Sequence, residues 1–160
     1  MSRRRFAAAM AVMLAACGSQ PASNAPEPAP VPRTAQSGLD LARLTVRSGP
    51  RAHVFTVEMA RTAEQQERGL MHRRALGANE GMLFPFDPPR PASFWMRNTL
   101  IPLDLIFIRP DGTIARIATG VPESEAQIMV DEPLTAVLEI PGGRAAQLGI
   151  AAGDRVSWSD

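Results

Sequence analysis

Two carboxylates stand in strongly apolar runs of this 160-residue chain, where an acid is either a reactive group or a structural one. Asp104 lies in the stretch 94–108, and Glu139 lies in the run 135–140. A buried charge without a partner is very costly, so each carboxylate needs hydrogen bonds, an ion pair or solvent. If both open into one cleft, they form the pair of acids that acid–base or glycoside chemistry requires. The sequence favours the structural alternative, in which each accepts backbone N–H bonds or pairs with an arginine, the candidates being Arg68, Arg73 and Arg97.

A binding cleft beside Asp104 is a third interpretation, because aromatic, polar and cationic residues occur close together in this part of the chain. Ligand sites are concave and mostly apolar, with a few convergent polar groups. Aromatic rings with Asp and Asn suit a sugar, so the expected ligand is an envelope glycan, a peptide or another small molecule. The residues predicted to bind it are Arg73, Phe94, Trp95, Asn98, Thr99 and Asp104. For Trp95 alone, a place in the hydrophobic core is the competing explanation.

The chain offers few residues for a metal ion or a covalent mechanism. Its two histidines, His53 and His72, are not at metal-ligand spacing, and it has a single cysteine. Soft sulfur ligands for copper(I) are available together with His72, namely Met71, Met82 and Met96. Methionine also fills irregular cores well, which is the favoured interpretation. No metal and no cofactor is therefore predicted.

The first residues predict export. Three arginines at positions 3–5 precede an apolar segment, residues 6–14, which is shorter than the roughly 20 residues that a membrane-spanning helix needs. The segment Leu14-Ala15-Ala16-Cys17 resembles the lipobox of bacterial lipoproteins. This resemblance implies a signal peptide over residues 1–16 and lipidation of Cys17, and Gly18 fits the periplasmic face of the outer membrane. The alternative is an ordinary secretory signal with a chance cysteine.

Residues 17–38 are predicted to be a tether, because Pro, Ala and Ser dominate there and prolines favour an extended chain. Beyond Cys17, fourteen of the seventeen arginines remain against sixteen acidic residues, which gives a formal charge of −2. A nucleic-acid partner would require a basic patch and is not predicted. The predicted partner is the membrane, through lipidated Cys17.

Residues 39–160 are predicted to form a single domain, mainly β: a small antiparallel β-sandwich or barrel with one or two short helices. The run 103–108 is apolar on both faces, which predicts a strand buried from two sides. Thr62 and Gln65 predict a capping box for a short helix that Gly69 ends. Segments 87–91 and 121–131 are predicted to be loops, and Gly142-Gly143 is predicted to lead into a second short helix.

Motifs spread over residues 44–158 resemble those of the domain of unknown function 192 family. The most specific block is Phe94-Trp95-Met96-Arg97-Asn98-Thr99 followed by Pro102-Leu103-Asp104 and Phe107. The other matching motifs are Arg68-Gly69-Leu70-Met71-His72-Arg73, Gly81-Met82-Leu83-Phe84, Val137-Leu138-Glu139 with Gly142, Gly149, and Gly153-Asp154. The resemblance implies a small, mainly β domain that is often exported, and it implies no reaction.

The function predicted from these observations is that of an exported, lipid-anchored module of the cell envelope that binds a ligand or assists another protein without catalysis. Two alternatives stay open. One is an envelope glycan hydrolase that uses Asp104 and Glu139 as a carboxylate pair. The other, more remote, is a copper-binding protein with methionine and histidine ligands.

Overall fold

The computed structural model describes residues 37–159, which lie within one compact unit of the chain. The predicted signal peptide, Cys17 and the predicted tether up to residue 36 lie outside the described residues. The described part contains seven strands and two short helices. In chain order these are β1 Leu41–Ser48, β2 Arg51–Met59, α1 Ala63–Arg68, β3 Glu80–Phe94, β4 Leu103–Ile108, β5 Ile114–Gly120, β6 Ile128–Pro141, α2 Arg144–Leu148 and β7 Arg155–Ser159.

All seven strands belong to one curled sheet, in the order β5-β4-β6-β3-β2-β1-β7. Its two edges meet, because the Ile114 N–H donates to the Asp154 carbonyl and the Val156 N–H donates to the Gly112 carbonyl, both at 2.8 Å. The predicted fold class, mainly β with short helices, is confirmed. The arrangement is antiparallel except for β2 and β3, which run parallel. The connection between them, residues 60–79, includes α1 and is long enough for the crossover that a parallel pair requires.

Hydrophobic side chains pack on both faces of this sheet. The first core lies on one face and includes Leu44, Phe55, Ile106 and Leu138. The second core lies on the other face and includes Leu70, Phe84, Phe107 and Val137. All six residues of β4 are buried, because successive side chains of a strand point to opposite faces and so enter the two cores in turn. The prediction of a strand buried from both sides is confirmed.

Helix α1 begins at the predicted capping box. The Gln65 N–H donates to the Thr62 hydroxyl at 3.2 Å, and the Thr62 N–H donates to the Gln65 side chain at 2.9 Å. The Gln66 side chain ties the helix to β3 by donating to the carbonyl of Pro85 at 2.9 Å. Gly69 ends the helix at a φ of 46°, a value that glycine adopts without steric cost. Within residues 37–159, neither helix is long and apolar enough to cross a membrane.

The loop prediction was wrong for residues 87–91 and for the end of the segment 121–131, which belong to long strands, whereas residues 121–127 form a loop as predicted. Residues 87–91 continue β3, and the end of the segment 121–131 begins β6. The prolines are tolerated because the β3–β6 register shifts between Pro85 and Arg90 and again between Arg90 and Ala92. At such bulges the ladder does not need every N–H, so residues without one can occupy a strand.

Asp104 fastens α2 to the sheet from inside the first-core face. Its side chain is buried, and its two carboxylate oxygens accept hydrogen bonds from the Gly143 N–H at 3.0 Å, the Ala145 N–H at 2.9 Å and the Thr119 hydroxyl at 3.0 Å. The carboxylate therefore satisfies N–H groups that a helix start leaves without intrahelical partners. This is the structural role that the sequence favoured for Asp104.

We expect Asp104→Asn to lower the free energy of unfolding by about 2–4 kcal/mol. The amide removes the charge and presents N–H groups where the protein also presents donors, and hydrogen bonds to charged groups contribute roughly 1.5–3 kcal/mol each. Urea denaturation measures the change. The matched control is Asp131→Asn, an exposed acid on β6. A loss no greater than that of the control would show that the three bonds do not stabilise the fold.

Candidate functional site

A pocket opens between the α1 region, the outer half of β3 and the loop that follows it, and we call it the Trp95 pocket. Its volume is about 240 Å³. The residues around it fall into a buried floor and an exposed rim. The buried members include Leu70, Phe84, Phe86, Ala92, Thr99 and Glu139, and the exposed members include Glu67, Arg68, Arg90, Trp95 and Arg97.

Glu139 is the acidic group of the floor, and it is only 5% exposed. Its neighbours directly across the sheet are Met82 and Leu105, so its side chain lies on the apolar second-core face. No residue in the described range hydrogen-bonds or ion-pairs with its carboxyl group. Burial raises the pKa of Glu139 from 4.5 to about 8, because the charged form is disfavoured away from water. A pKa of about 8 makes the protonated carboxylic acid the main form at pH 7, and this form can donate a hydrogen bond.

The other two buried acids among residues 37–159 are fully engaged. Glu58 receives two hydrogen bonds from the Arg73 guanidinium, at 2.6 and 2.7 Å, and a third from the Ser37 hydroxyl. Asp104 accepts its three bonds from α2 and Thr119. Glu139 thus differs from both, since its carboxyl group has no protein partner among the described residues and lines a cavity.

Three arginines line the rim. The Arg90 guanidinium lies 4.1 Å from the centre of the Phe86 ring and donates to Gln66 at 3.3 Å. The Arg97 guanidinium lies 4.9 Å from the centre of the Trp95 ring. Arg68 ends α1, and its side chain makes no hydrogen bond or ion pair with any other described residue. Stacking on a ring uses the face of a guanidinium and leaves its N–H edges available to a ligand.

Aromatic rings connect the pocket to the second core. Phe94 packs edge-on against Phe84 with ring centres 5.2 Å apart, and against Phe107 at 6.2 Å. Trp95 is 41% exposed, so the competing prediction that it lies in the core is wrong. An exposed indole beside the cavity provides contact area for a ligand without further loss of core packing.

The structure brings together only part of the predicted ligand-binding set. Phe94, Trp95 and Thr99 line the pocket. Arg73 is paired with Glu58, which makes it part of the fold. Asn98 shapes the loop, since it adopts a φ of 58° and its carbonyl accepts the His72 N–H at 2.8 Å. Asp104 lies on the opposite face of the sheet.

The two carboxylates proposed as a catalytic pair do not share a cleft. Asp104 is directly opposite Ile140, a residue of the first core, whereas Glu139 is directly opposite Leu105, a residue of the second core. Residues opposite one another in neighbouring strands project from the same face. The two acids therefore point to opposite sides of the sheet. A hydrolase mechanism that needs both carboxyl groups at one substrate is incompatible with this arrangement.

The methionines proposed as copper ligands lie mainly in packed regions. Met82 and Met96 are each 1% exposed and belong to the second core, where Met96 packs against Gly120. Met71 lies at the pocket and its sulfur accepts a hydrogen bond from the Asn98 amide at 3.8 Å, while His72 is exposed. Residues 37–159 contain no cluster of three or more His, Cys, Asp and Glu side chains suited to a metal ion.

Sequence reasoning missed most of the polar part of the pocket. It did not assign Gln66, Arg68, Arg90 or Ser93 to the site, and it considered Glu139 only together with Asp104. The available signal was the Arg68-Gly69-Leu70-Met71 motif, in which the glycine ends α1 and turns Arg68 and Leu70 toward one cavity. The contribution of Arg90 depends on the bulges in β3, which the sequence did not predict.

The fold and the pocket define a small β-domain with a ligand-sized cavity and no assigned reaction. Residues 44–158 match the family DUF192, described as "Uncharacterized ACR", and the chain belongs to this family. It is similar to a protein of unknown function from Novosphingobium aromaticivorans DSM 12444, with 48% identity and a TM-score of 0.77 over 81% of this chain and 94% of that one. It is also similar to a candidate transcription regulator from Sinorhizobium meliloti 1021, with 43% identity and a TM-score of 0.73 over 75% of this chain and 95% of that one. No curated protein matches the chain.

We expect the ionisation of Glu139 to lower the free energy of unfolding as the pH rises from about 4.5 to about 8. Glu139→Gln should abolish this contribution. The folded state keeps the Glu139 proton up to the raised pKa of about 8, whereas the unfolded chain releases it near 4.5. The contribution of Glu139 to the free energy of unfolding is therefore complete below pH 4.5 and is lost as the pH rises to about 8. The loss is up to roughly 1.4 kcal/mol per pH unit, or about 5 kcal/mol in all.

Denaturation curves recorded across this pH range test the prediction. The neutral amide should make Glu139→Gln more stable than the wild type at neutral and mildly alkaline pH. The control Glu125→Gln changes an exposed acid in the loop before β6 and should follow the wild-type profile. Parallel profiles for all three proteins would contradict the burial of an uncompensated carboxyl group.

Proposed function

We propose that the protein is a binding module that holds a small ligand in the Trp95 pocket without transforming it. The observation that supports this most is Glu139, a buried carboxyl group that faces the pocket with no partner among the described residues. Burying a polar group without a hydrogen bond costs roughly 1–3 kcal/mol, and residues kept at such a cost are often functional. A ligand atom that accepts a hydrogen bond from the carboxyl O–H would supply the missing bond.

Binding is favoured over catalysis because the pocket is organised for contact and lacks a paired acid and base. Asp104, the second carboxylate of the hydrolase hypothesis, is turned to the other face and its oxygens accept three hydrogen bonds there. What remains in the lining around Glu139 is an aromatic wall, Thr99, the exposed Glu67 and three arginines. Such a set fixes the position and orientation of a ligand.

We further propose that the module acts in the cell envelope, tethered through Cys17. The support is the sequence alone: an arginine-rich start, a short apolar segment and a cysteine at the lipobox position. The proline-rich residues that follow would hold the domain away from the membrane surface. A ligand of the envelope, such as a glycan fragment, a peptide or another small molecule, is then within reach of the pocket.

The first prediction of this proposal is saturable binding at the pocket. The chain has two tryptophans, so a Trp158→Phe variant leaves Trp95 as the only fluorophore. The panel to titrate contains phenyl, 4-(hydroxymethyl)phenyl and hexyl frameworks, each as carboxylate, amide and amine, together with N-acetylglucosamine and a short peptide. At least one member should change Trp95 fluorescence and raise the melting temperature.

The control for this titration is Trp95→Phe, which leaves Trp158 beside the first core as the only fluorophore. Its emission should not respond to the same ligand, because β7 does not line the pocket. If no member of the panel changes Trp95 fluorescence or the melting temperature, the pocket is not a small-molecule site and the proposed function fails.

The second prediction concerns the tether. Expressed in a bacterial host, the wild-type chain should incorporate labelled palmitate and remain with the membrane fraction, whereas Cys17→Ser should do neither, since the thiol is the group that receives the lipid. Ser23→Ala, a change within the tether, should behave as the wild type. Labelling of Cys17→Ser, or an unlabelled wild type, would show that the cysteine is not an anchor.

A further inference from the structure

We propose that the ligand of the Trp95 pocket is a small organic anion, bound with its acid group among Arg68, Arg90 and Arg97 and with a hydrogen-bond acceptor at its other end against Glu139. This inference rests on the proposed function and specifies the chemistry of that site. It follows from the charge of the rim, the donors of the floor and the apolar wall between them.

The rim is positive, although the chain beyond Cys17 has slightly more acids than arginines. The charged groups that line the pocket together with Glu139 come from three elements: Glu67 and Arg68 from α1, Arg90 from β3, and Arg97 from the following loop. When Glu139 is neutral, the lining carries three positive charges, from the arginines, and one negative charge, from the exposed Glu67. A guanidinium binds a carboxylate or phosphate through two parallel N–H bonds, so this rim selects an acid group and repels an amine.

The floor presents donors. The neutral Glu139 carboxyl has an O–H with no protein acceptor among residues 37–159, and the Thr99 hydroxyl lines the same floor. The Thr99 hydroxyl has only a long contact of 3.5 Å to the Arg97 carbonyl. A ligand oxygen that reaches the floor therefore completes the hydrogen bonding of a group that is otherwise buried without a partner.

The walls set the size and shape of the ligand. Phe84, Phe86 and Phe94 line the cavity, and the exposed Trp95 ring extends this surface to the rim. The volume of about 240 Å³ is below the roughly 300–1,000 Å³ of typical ligand pockets. The best fit is a compact body, apolar in the middle and polar at both ends, rather than a long glycan chain.

The Trp158→Phe protein tests this with three matched probes: 4-(hydroxymethyl)benzoate, 4-(hydroxymethyl)benzamide and 4-(hydroxymethyl)benzylamine. They share a framework and differ in charge at one end. We expect the benzoate to bind at least tenfold more tightly than the amide, and the amine to bind least. Arg68→Gln should weaken benzoate binding about tenfold, whereas Arg74→Gln, an exposed arginine outside the pocket lining, should leave it unchanged.

The pH dependence provides a second and independent readout. If only the protonated Glu139 binds the benzoate, the measured Kd rises as the protonated fraction falls, by about tenfold at one pH unit above the pKa. The charge of the benzoate is constant over this range. We expect Glu139→Gln to bind the benzoate at neutral pH with a Kd that stays flat to about pH 9, because the amide can donate a hydrogen bond but cannot ionise.

The outcomes separate this inference from the proposed function. Tighter binding of the amine or the amide than of the benzoate would overturn the anion assignment while leaving the pocket as a binding site. The anion assignment would also be overturned if the Kd of the benzoate changed neither with Arg68→Gln nor with pH. Failure of the whole panel to bind would overturn the proposed function and this inference together.

Discussion

The paired strands β4 and β6 impose the constraint on which the rest of the structure depends. β4 and residues 136–140 of β6 are buried from two sides, and their side chains alternate between the first and the second core. An acid in either strand must therefore enter one core or the other. Asp104 enters the first core and is compensated there by the start of α2, whereas Glu139 enters the second core and meets Met82, Leu105 and a cavity. One shift in register would exchange these faces, so the pocket exists only because this pairing is fixed.

The three buried acids of residues 37–159 have different surroundings. Glu58 and Asp104 show how this fold compensates a buried carboxylate. One arginine nitrogen donates to both oxygens of Glu58, whereas backbone N–H groups and the Thr119 hydroxyl donate to Asp104. Three arginines lie around the pocket, yet none pairs with Glu139. The arginines stay at the rim with the aromatic rings, and the carboxyl group stays at the floor. That separation of cation and acid leaves Glu139 without the ion pair that stabilises Glu58, and it is the arrangement on which the proposed binding of an anion depends.

Local patterns in the sequence predicted local structure well. The capping box at Thr62, the two-sided strand 103–108 and the short helix after Gly143 depend on neighbouring residues, and each is present. The family resemblance extended this to the whole domain. The pocket could not be predicted in the same way, because its lining combines Arg68 of α1, Arg90 of β3 and Glu139 of β6. Their common location depends on the packing of α1 and on the β3–β6 register with its bulges. Prolines at 88, 89 and 91 suggested a loop, and the strand that positions Arg90 was missed for that reason. Asp104 and Glu139 were considered as a pair because sequence alone does not fix which face each residue occupies.

The state of the Glu139 carboxyl group is the central claim, and it can be observed directly. Carbon-13 NMR of protein labelled at glutamate, with Glu139→Gln to assign the resonance, follows its titration in the ligand-free protein. Burial predicts a carboxyl group that stays protonated through neutral pH and titrates with a pKa of about 8. A resonance that titrates near the ordinary value for glutamate would show that the group is solvated or paired. In that case the floor of the pocket would present a carboxylate to the ligand, and the structural basis proposed for binding would be wrong.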